Sequence, residues 1–217
     1  MGLRAWKSYQ ALCKEGHHPR RMGFRCDRGD LNRFEARVRL AHSFEGVRLR
    51  GYKEETEQGY GSLIRAALAY SAVESLRGAL GYKADHEFGP DLGGHDSAEV
   101  VRRFREADIE DRFGHFVRDR VNDRLKRRLE ALYADGPGPD ASMVHLGAGL
   151  RHIFVHGHLT PSARKVPPRR AAQACDVVTH ALLGFVDDAF ASRVESYASG
   201  LGCQSHAGPA SARPRHA

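Results

Sequence analysis

The chain has 217 residues, 41% of them hydrophobic and 28% charged, which is enough for one domain with a core plus an extension and too little for two full domains. Its formal net charge of +7 favours a polyanionic partner, because a positive field raises that partner's local concentration. No apolar run approaches the length of a membrane span, and the opening MGLRAWKSYQALCKEG lacks the apolar stretch of a signal peptide. Trp6 stands where a myristoylation pattern requires Ser or Thr. The expectation is a cytoplasmic protein with no membrane partner.

Cysteines 13, 26, 175 and 203 are scattered without short pairing, so they read as free thiols rather than a disulfide framework. Cys13, His17, His18 and Cys26 can be drawn as a zinc site but lack the C-x-x-C or H-x-x-x-H knuckles. This stretch is taken as a loosely ordered N-terminal segment, and no metal or other cofactor is expected.

Hydrophobic periodicity then predicts helices along the chain. Leu31, Phe34, Val38 and Ala41 recur at three- and four-residue steps, giving a short helix over about Asp30–His42. Tyr60, Leu63, Ile64, Ala67, Leu68, Ser71, Leu76 and Leu80 share a broad face of a second helix, which Gly81 ends in the left-handed conformation. FGPDLGGHD reads as a loop, after which Asp96 and Glu99 form the capping box of a third, long helix. Phe104, Phe113, Phe116 or Val117, Val121, Leu125, Leu129 and Leu132 supply its buried stripe. Arginines crowd its remaining faces, including Arg102, Arg112, Arg118, Arg124 and Arg128, either as a solvated surface with intrahelical ion pairs or as a surface for RNA.

After DGPGPD a fourth helix is expected over about Ala141–His156, with Met143, Leu146, Leu150, Ile153 and Phe154 inward and Gly157 as its stop. Pro168 opens a fifth, whose stripe is Ala171, Cys175, Val178, Leu182, Phe185, Ala189 and Phe190, ending near Gly200. No segment alternates like a strand, and neither a Walker loop nor a strand followed by G-x-G-x-x-G is present. The predicted fold is all-α: an antiparallel helical bundle of four main helices plus a short N-terminal one. Residues 1–53 form the extension, 54–198 the bundle and 199–217 a disordered tail.

The fourth helix concentrates the chemistry. At about 3.6 residues per turn, His145, His152 and His156 fall close to one line, with Arg151 about a hundred degrees to one side of His152. Imidazoles near neutral pKa can take a proton from a ribose 2′-hydroxyl or give one to a departing 5′-oxygen. A guanidinium offers a fork of donors to the charged phosphorane between those events.

The run Arg151-His152-Ile153-Phe154-Val155-His156 resembles the R-x4-6-H motif of the HEPN superfamily (higher eukaryotes and prokaryotes nucleotide-binding). The resemblance extends over about Glu54–Ala198, and its specific part is the motif and its position late in a bundle. It implies a metal-independent endoribonuclease, a toxin or phage-defence effector, whose composite site forms where two protomers of a homodimer bring their motifs together. Arg151 then stabilises phosphate, His156 is acid or base, His152 orients the site, and Arg169 and Arg170 are backbone contacts for RNA. His158 stands where toxins of this kind often carry a Tyr, so regulation through that Tyr is not implied. An antitoxin or defence-system partner follows only from the family.

Three other readings compete. Some members of the family have lost catalysis and only bind RNA or partners. Arg151 can simply pair with an acid of a neighbouring helix while His156 ends its own. His152 and His156, at i and i+4, can share a cation with His145 or His158, although no H-E-x-x-H and no nearby carboxylate completes a zinc site. Tyr70 and Glu74 lie close to the apolar stripe of the second helix, beneath such a cleft.

Overall fold

The computed structural model describes residues 2–92, 95–134, 142–158 and 165–205. The turn segment at 135–140, Ala141 and the tail beyond Ser205 lie outside them. The described residues form eight α-helices and no strand, so the chain is all-helical.

The N-terminal segment holds two α-helices rather than one, α1 (Trp6–Lys14) and α2 (Arg28–Ser43). The periodicity of α2 was plain, and Leu31, Phe34, Val38 and Ala41 are all fully buried. Its start is fixed by a reciprocal box in which Asp27 accepts from the Asp30 N–H at 2.8 Å and Asp30 accepts from the Asp27 N–H at 3.4 Å. The first helix has no capping side chain to announce it. Tertiary packing holds it instead: the Phe190 ring lies 5.9 Å from Trp6, 5.8 Å from Tyr9, 5.4 Å from Phe24 and 5.9 Å from Phe34. One continuous core runs from Leu3 to Val194, so the segment packs into the same core as the rest of the chain.

The central helix is α3 (Glu54–Leu80). Ala66, Ala69, Ala72 and Val73 are completely buried, whereas Ile64, Leu68 and Ser71 of the predicted stripe are half-buried. Small side chains let neighbours approach α3 from several directions, which a one-face reading misses. The helix ends as predicted at Gly81 (φ +74°), where the Gly81 and Tyr82 N–H groups return to the carbonyls of Gly78 and Arg77. A 3-10 segment, Asp85–Asp91, occupies the expected loop and sinks Phe88 into the core.

The single long arginine-rich helix is three: α4 (Ser97–Ala107), α5 (Arg112–Arg120) and α6 (Asp123–Tyr133). Asp96 caps the first, accepting from the Ala98 N–H at 2.8 Å and the Glu99 N–H at 3.3 Å, but Glu99 accepts from Arg102 instead of completing the expected box. Asp108 then breaks the run, its carboxylate accepting from the N–H groups of Ile109 at 2.7 Å, Phe113 at 3.0 Å and Gly114 at 2.8 Å. Asn122 starts α6 by accepting from Leu125 N–H at 3.0 Å. Short polar side chains that bond nearby backbone compete with helix continuation, and Asp108 and Asn122 both do so.

Helix α7 (Val144–Val155) crosses against α3, and α8 (Pro168–Ser205) follows. The predicted stripe of α8 is buried throughout, and the helix continues past Gly200 to Ser205. Ser62 and Arg65 share a cleft with Ala172 and Gln173, while Phe190 reaches Phe24, whose neighbour Arg25 donates to the Ala79 carbonyl. The long helices α3 and α8 therefore run in the same direction, unlike neighbours in an up-and-down bundle. Helix α2 runs against α3, with Arg37 bonded to Ser75 at one end and Gly46 beside Gly61 at the other.

Candidate functional site

Helix α7 is placed by two glycines with little room. A Cβ on Gly147 would lie 2.5 Å from Leu182 Cδ1 and 3.1 Å from the Tyr70 ring, and one on Gly149 would lie 2.8 Å from Val117. The helix is thus wedged between α3, α5 and α8, with His145 fully buried. The expected line of three imidazoles is therefore reduced to two, because His145 faces the core. Gly157 (φ +66°) ends α7 with a Schellman pair, Gly157 N–H to Phe154 carbonyl at 3.2 Å and His158 N–H to Ile153 carbonyl at 3.0 Å.

This packing turns Arg151 and His152 into a cleft of about 260 Å³. Tyr70, Glu74, Arg77, Lys83, Asp85, Arg124 and Arg128 also line it. Five cationic side chains therefore face two carboxylates. Asp85 is buried and accepts from the Tyr70 hydroxyl at 2.8 Å and from Arg77 at 2.7 Å. Burial, then the charge of Asp85, holds the Tyr70 phenol well above its usual range. Glu74 sits 3.7 Å from Arg151 Nε and 4.0 Å from Arg77. The Arg151–Glu74 contact is the ion pair to a neighbouring helix that one of the competing readings expects. These separations exceed hydrogen-bond length, however, and the Arg151 side chain makes no hydrogen bond among the described residues, so a phosphate can compete with Glu74 for its donor fork.

The His152 and His156 rings lie 4.3 Å apart, and His158 is 6.5 Å from His156. Burial, reinforced by His156, His158 and Arg151, lowers the His152 pKa, which keeps that imidazole neutral and able to accept a proton at pH 7. His156 is exposed beside His152 at the end of α7, next to the exposed apolar side chain of Val155, and does not line the cleft itself. Among the described residues, no group of three or more His, Cys, Asp or Glu side chains is placed to hold a metal ion.

Arg169 and Arg170 are exposed in the first turn of α8, but not in this cleft. Arg169 lines a separate one with Gln58, Arg65 and Asp176, and Arg170 donates to Gln173 at 3.4 Å. The arginine-rich stretch divides in the same way. Arg102 is paired with Glu99 and Glu106 within its own helix, as the ion-pair reading expected, whereas Arg112 and Arg118 pair with Glu110 and Asp111 of the turn before α5. Lys83, Arg77, Arg124 and Arg128 were not assigned to the site from sequence. The signal available was spacing: Tyr70, Glu74 and Arg77 share one face of α3, and Arg124 and Arg128 one face of α6.

Comparison with known proteins found no matching family model, no similar curated protein and no similar solved structure. Among the described residues, no helix is long and apolar enough to cross a membrane.

Proposed function

We propose that the chain is a HEPN-like, metal-independent endoribonuclease acting as a homodimer. The observation that carries this reading is the shared cleft in which Arg151 and His152 meet four further cations, with the His156 ring 4.3 Å from that of His152. In the proposed step the ribose 2′-oxygen attacks the adjacent phosphorus and the P–O5′ bond breaks, leaving a 2′,3′-cyclic phosphate and a 5′-hydroxyl. His152, held neutral, takes the 2′-hydroxyl proton, and His156 gives a proton to the leaving 5′-oxygen. Arg151 leaves Glu74 for the phosphorane, whose added negative charge it binds with a planar fork of donors.

The homodimer comes from the family resemblance, and the exposed end of α7 is where it would form. Val155, 56% exposed, stands beside His156 and His158 there, and a second copy of that end would cover the apolar side chain and bring two motifs together. Toxin or defence roles rest on the family resemblance alone. The test is cleavage of a labelled RNA pool in EDTA by wild type, Arg151→Ala and His156→Ala. Cleavage by wild type alone supports the nuclease. RNA binding without cleavage by wild type points instead to a non-catalytic RNA-binding module of the same fold.

A further inference from the structure

The cleft has a second cationic wall that the motif does not include. Lys83 projects from the turn after α3, and that turn is fixed: Glu87 accepts from both the Lys83 and Ala84 N–H groups at 2.8 Å. Arg124 and Arg128 come from α6, one turn apart, behind the Asn122 cap. Lys83 and Arg124 are exposed and make no ion pair among the described residues, whereas Arg102, Arg112 and Arg118 are held by carboxylates. Arg151 and His152 line the same cleft from α7. The cleft is about 260 Å³, and cations on two of its sides can reach successive phosphates of one strand.

We infer that Lys83 and Arg124, supported by Arg128, form a second phosphate subsite that holds the phosphodiester next to the one at Arg151 on single-stranded RNA. Recognition there is of the backbone. Lys83, Arg124 and Arg128 carry no ring, and the phenol of the lining, Tyr70, is locked to Asp85 and packed against Gly147, so the subsite offers no face for stacking a base. A cationic groove that follows the backbone is a common way to bind single strands. The inference rests on the RNA reading above, and binding is measured instead of cleavage so that the two fail separately.

The experiment is fluorescence anisotropy of a short labelled single-stranded oligoribonucleotide over a salt series, with His156→Ala as the non-cutting parent. Each phosphate contact on a single strand contributes about 0.7 to the slope of log K against log salt. Adding Lys83→Gln and Arg124→Gln therefore flattens the slope by about 1.4 and weakens binding, while the melting temperature stays at the parent's. Adding Arg102→Gln and Arg112→Gln removes the same formal charge from paired positions and leaves the slope unchanged. An unchanged slope in the first variant, or an equal loss in both, overturns the subsite while RNA binding by the parent still stands. No RNA binding by the parent or wild type overturns the subsite together with the RNA reading.

Discussion

Substituting Gly147 by alanine tests whether α7 is wedged as tightly as its glycines indicate. In a helix interior, glycine to alanine alone adds about 0.5–1 kcal/mol of stability. At Gly147, however, the new Cβ meets Leu182 Cδ1 at 2.5 Å and the Tyr70 ring at 3.1 Å. Neither neighbour can yield easily. Leu182 is fully buried, and the Tyr70 hydroxyl is tied to Asp85 at 2.8 Å. Overpacking of this kind costs about 1–3 kcal/mol, so Gly147→Ala should be destabilising by about 1 kcal/mol net. Gly78, in α3, has nothing within 4 Å of its Cβ position, and Gly78→Ala should show only the helical gain. The two variants should then differ by about 2 kcal/mol in denaturant unfolding, and by about 4–8 °C in melting temperature for a chain of this size. A Gly147→Ala protein that melts at or above Gly78→Ala would refute the packing argument, and with it the account of how Arg151 and His152 are aimed.

Further expectations follow from particular contacts. Because the folded-state pKa of His152 lies below its unfolded value, the unfolded chain binds more protons just below neutrality. Its contribution to stability is thus full above about pH 6.5 and lost as pH falls through that value toward the folded pKa. An NMR titration should show the His152 pKa rising in His156→Gln, and an unmoved value would remove the electrostatic coupling from the site. Asp85→Asn should lower unfolding stability by about 2–3 kcal/mol, since it strands Arg77 and weakens the bond to Tyr70, whereas Tyr70→Phe should cost about 1 kcal/mol. Equal effects in the two would show that the carboxylate is not the centre of that network. Asp27→Ala, which opens the box at the start of α2, should cost about 1 kcal/mol in the same assay, and a neutral result would mean that packing alone sets that helix end.

The parts of the fold legible in sequence were those governed by local rules. The period of α2, the glycine stops at Gly81 and Gly157 and the Asp96 cap all depend on residues within a turn or two of each other. Helix α1 was not legible, because what orders it is the ring of Phe190, far away in the sequence. The break at Asp108 escaped notice because its apolar stripe continues smoothly across three helices. At the candidate site, the motif drew attention to α7, whose Arg151 and His152 line the cleft. A helical wheel treats its surroundings as one core and one solvent, whereas α7 is enclosed by α3, α5 and α8, which is why His145 is internal. Lys83, Arg77, Arg124 and Arg128 converge from three other segments, and only tertiary structure brings them to one cleft and leaves Lys83 and Arg124 without an ion pair among the described residues, while Arg77 is held by Asp85. Arg169 shows the converse: close to the motif in sequence, it lines a different cleft.

The central claim is that Arg151 and His152 of the cleft, with His156 beside it, cut RNA without metal. Its most direct test is end-group analysis of RNA incubated with the purified protein in EDTA, with Arg151→Ala and His156→Ala alongside. The account predicts fragments with 2′,3′-cyclic phosphate and 5′-hydroxyl ends from the wild type and none from either variant. Intact RNA with the wild type, or cleavage that survives both substitutions, would contradict it.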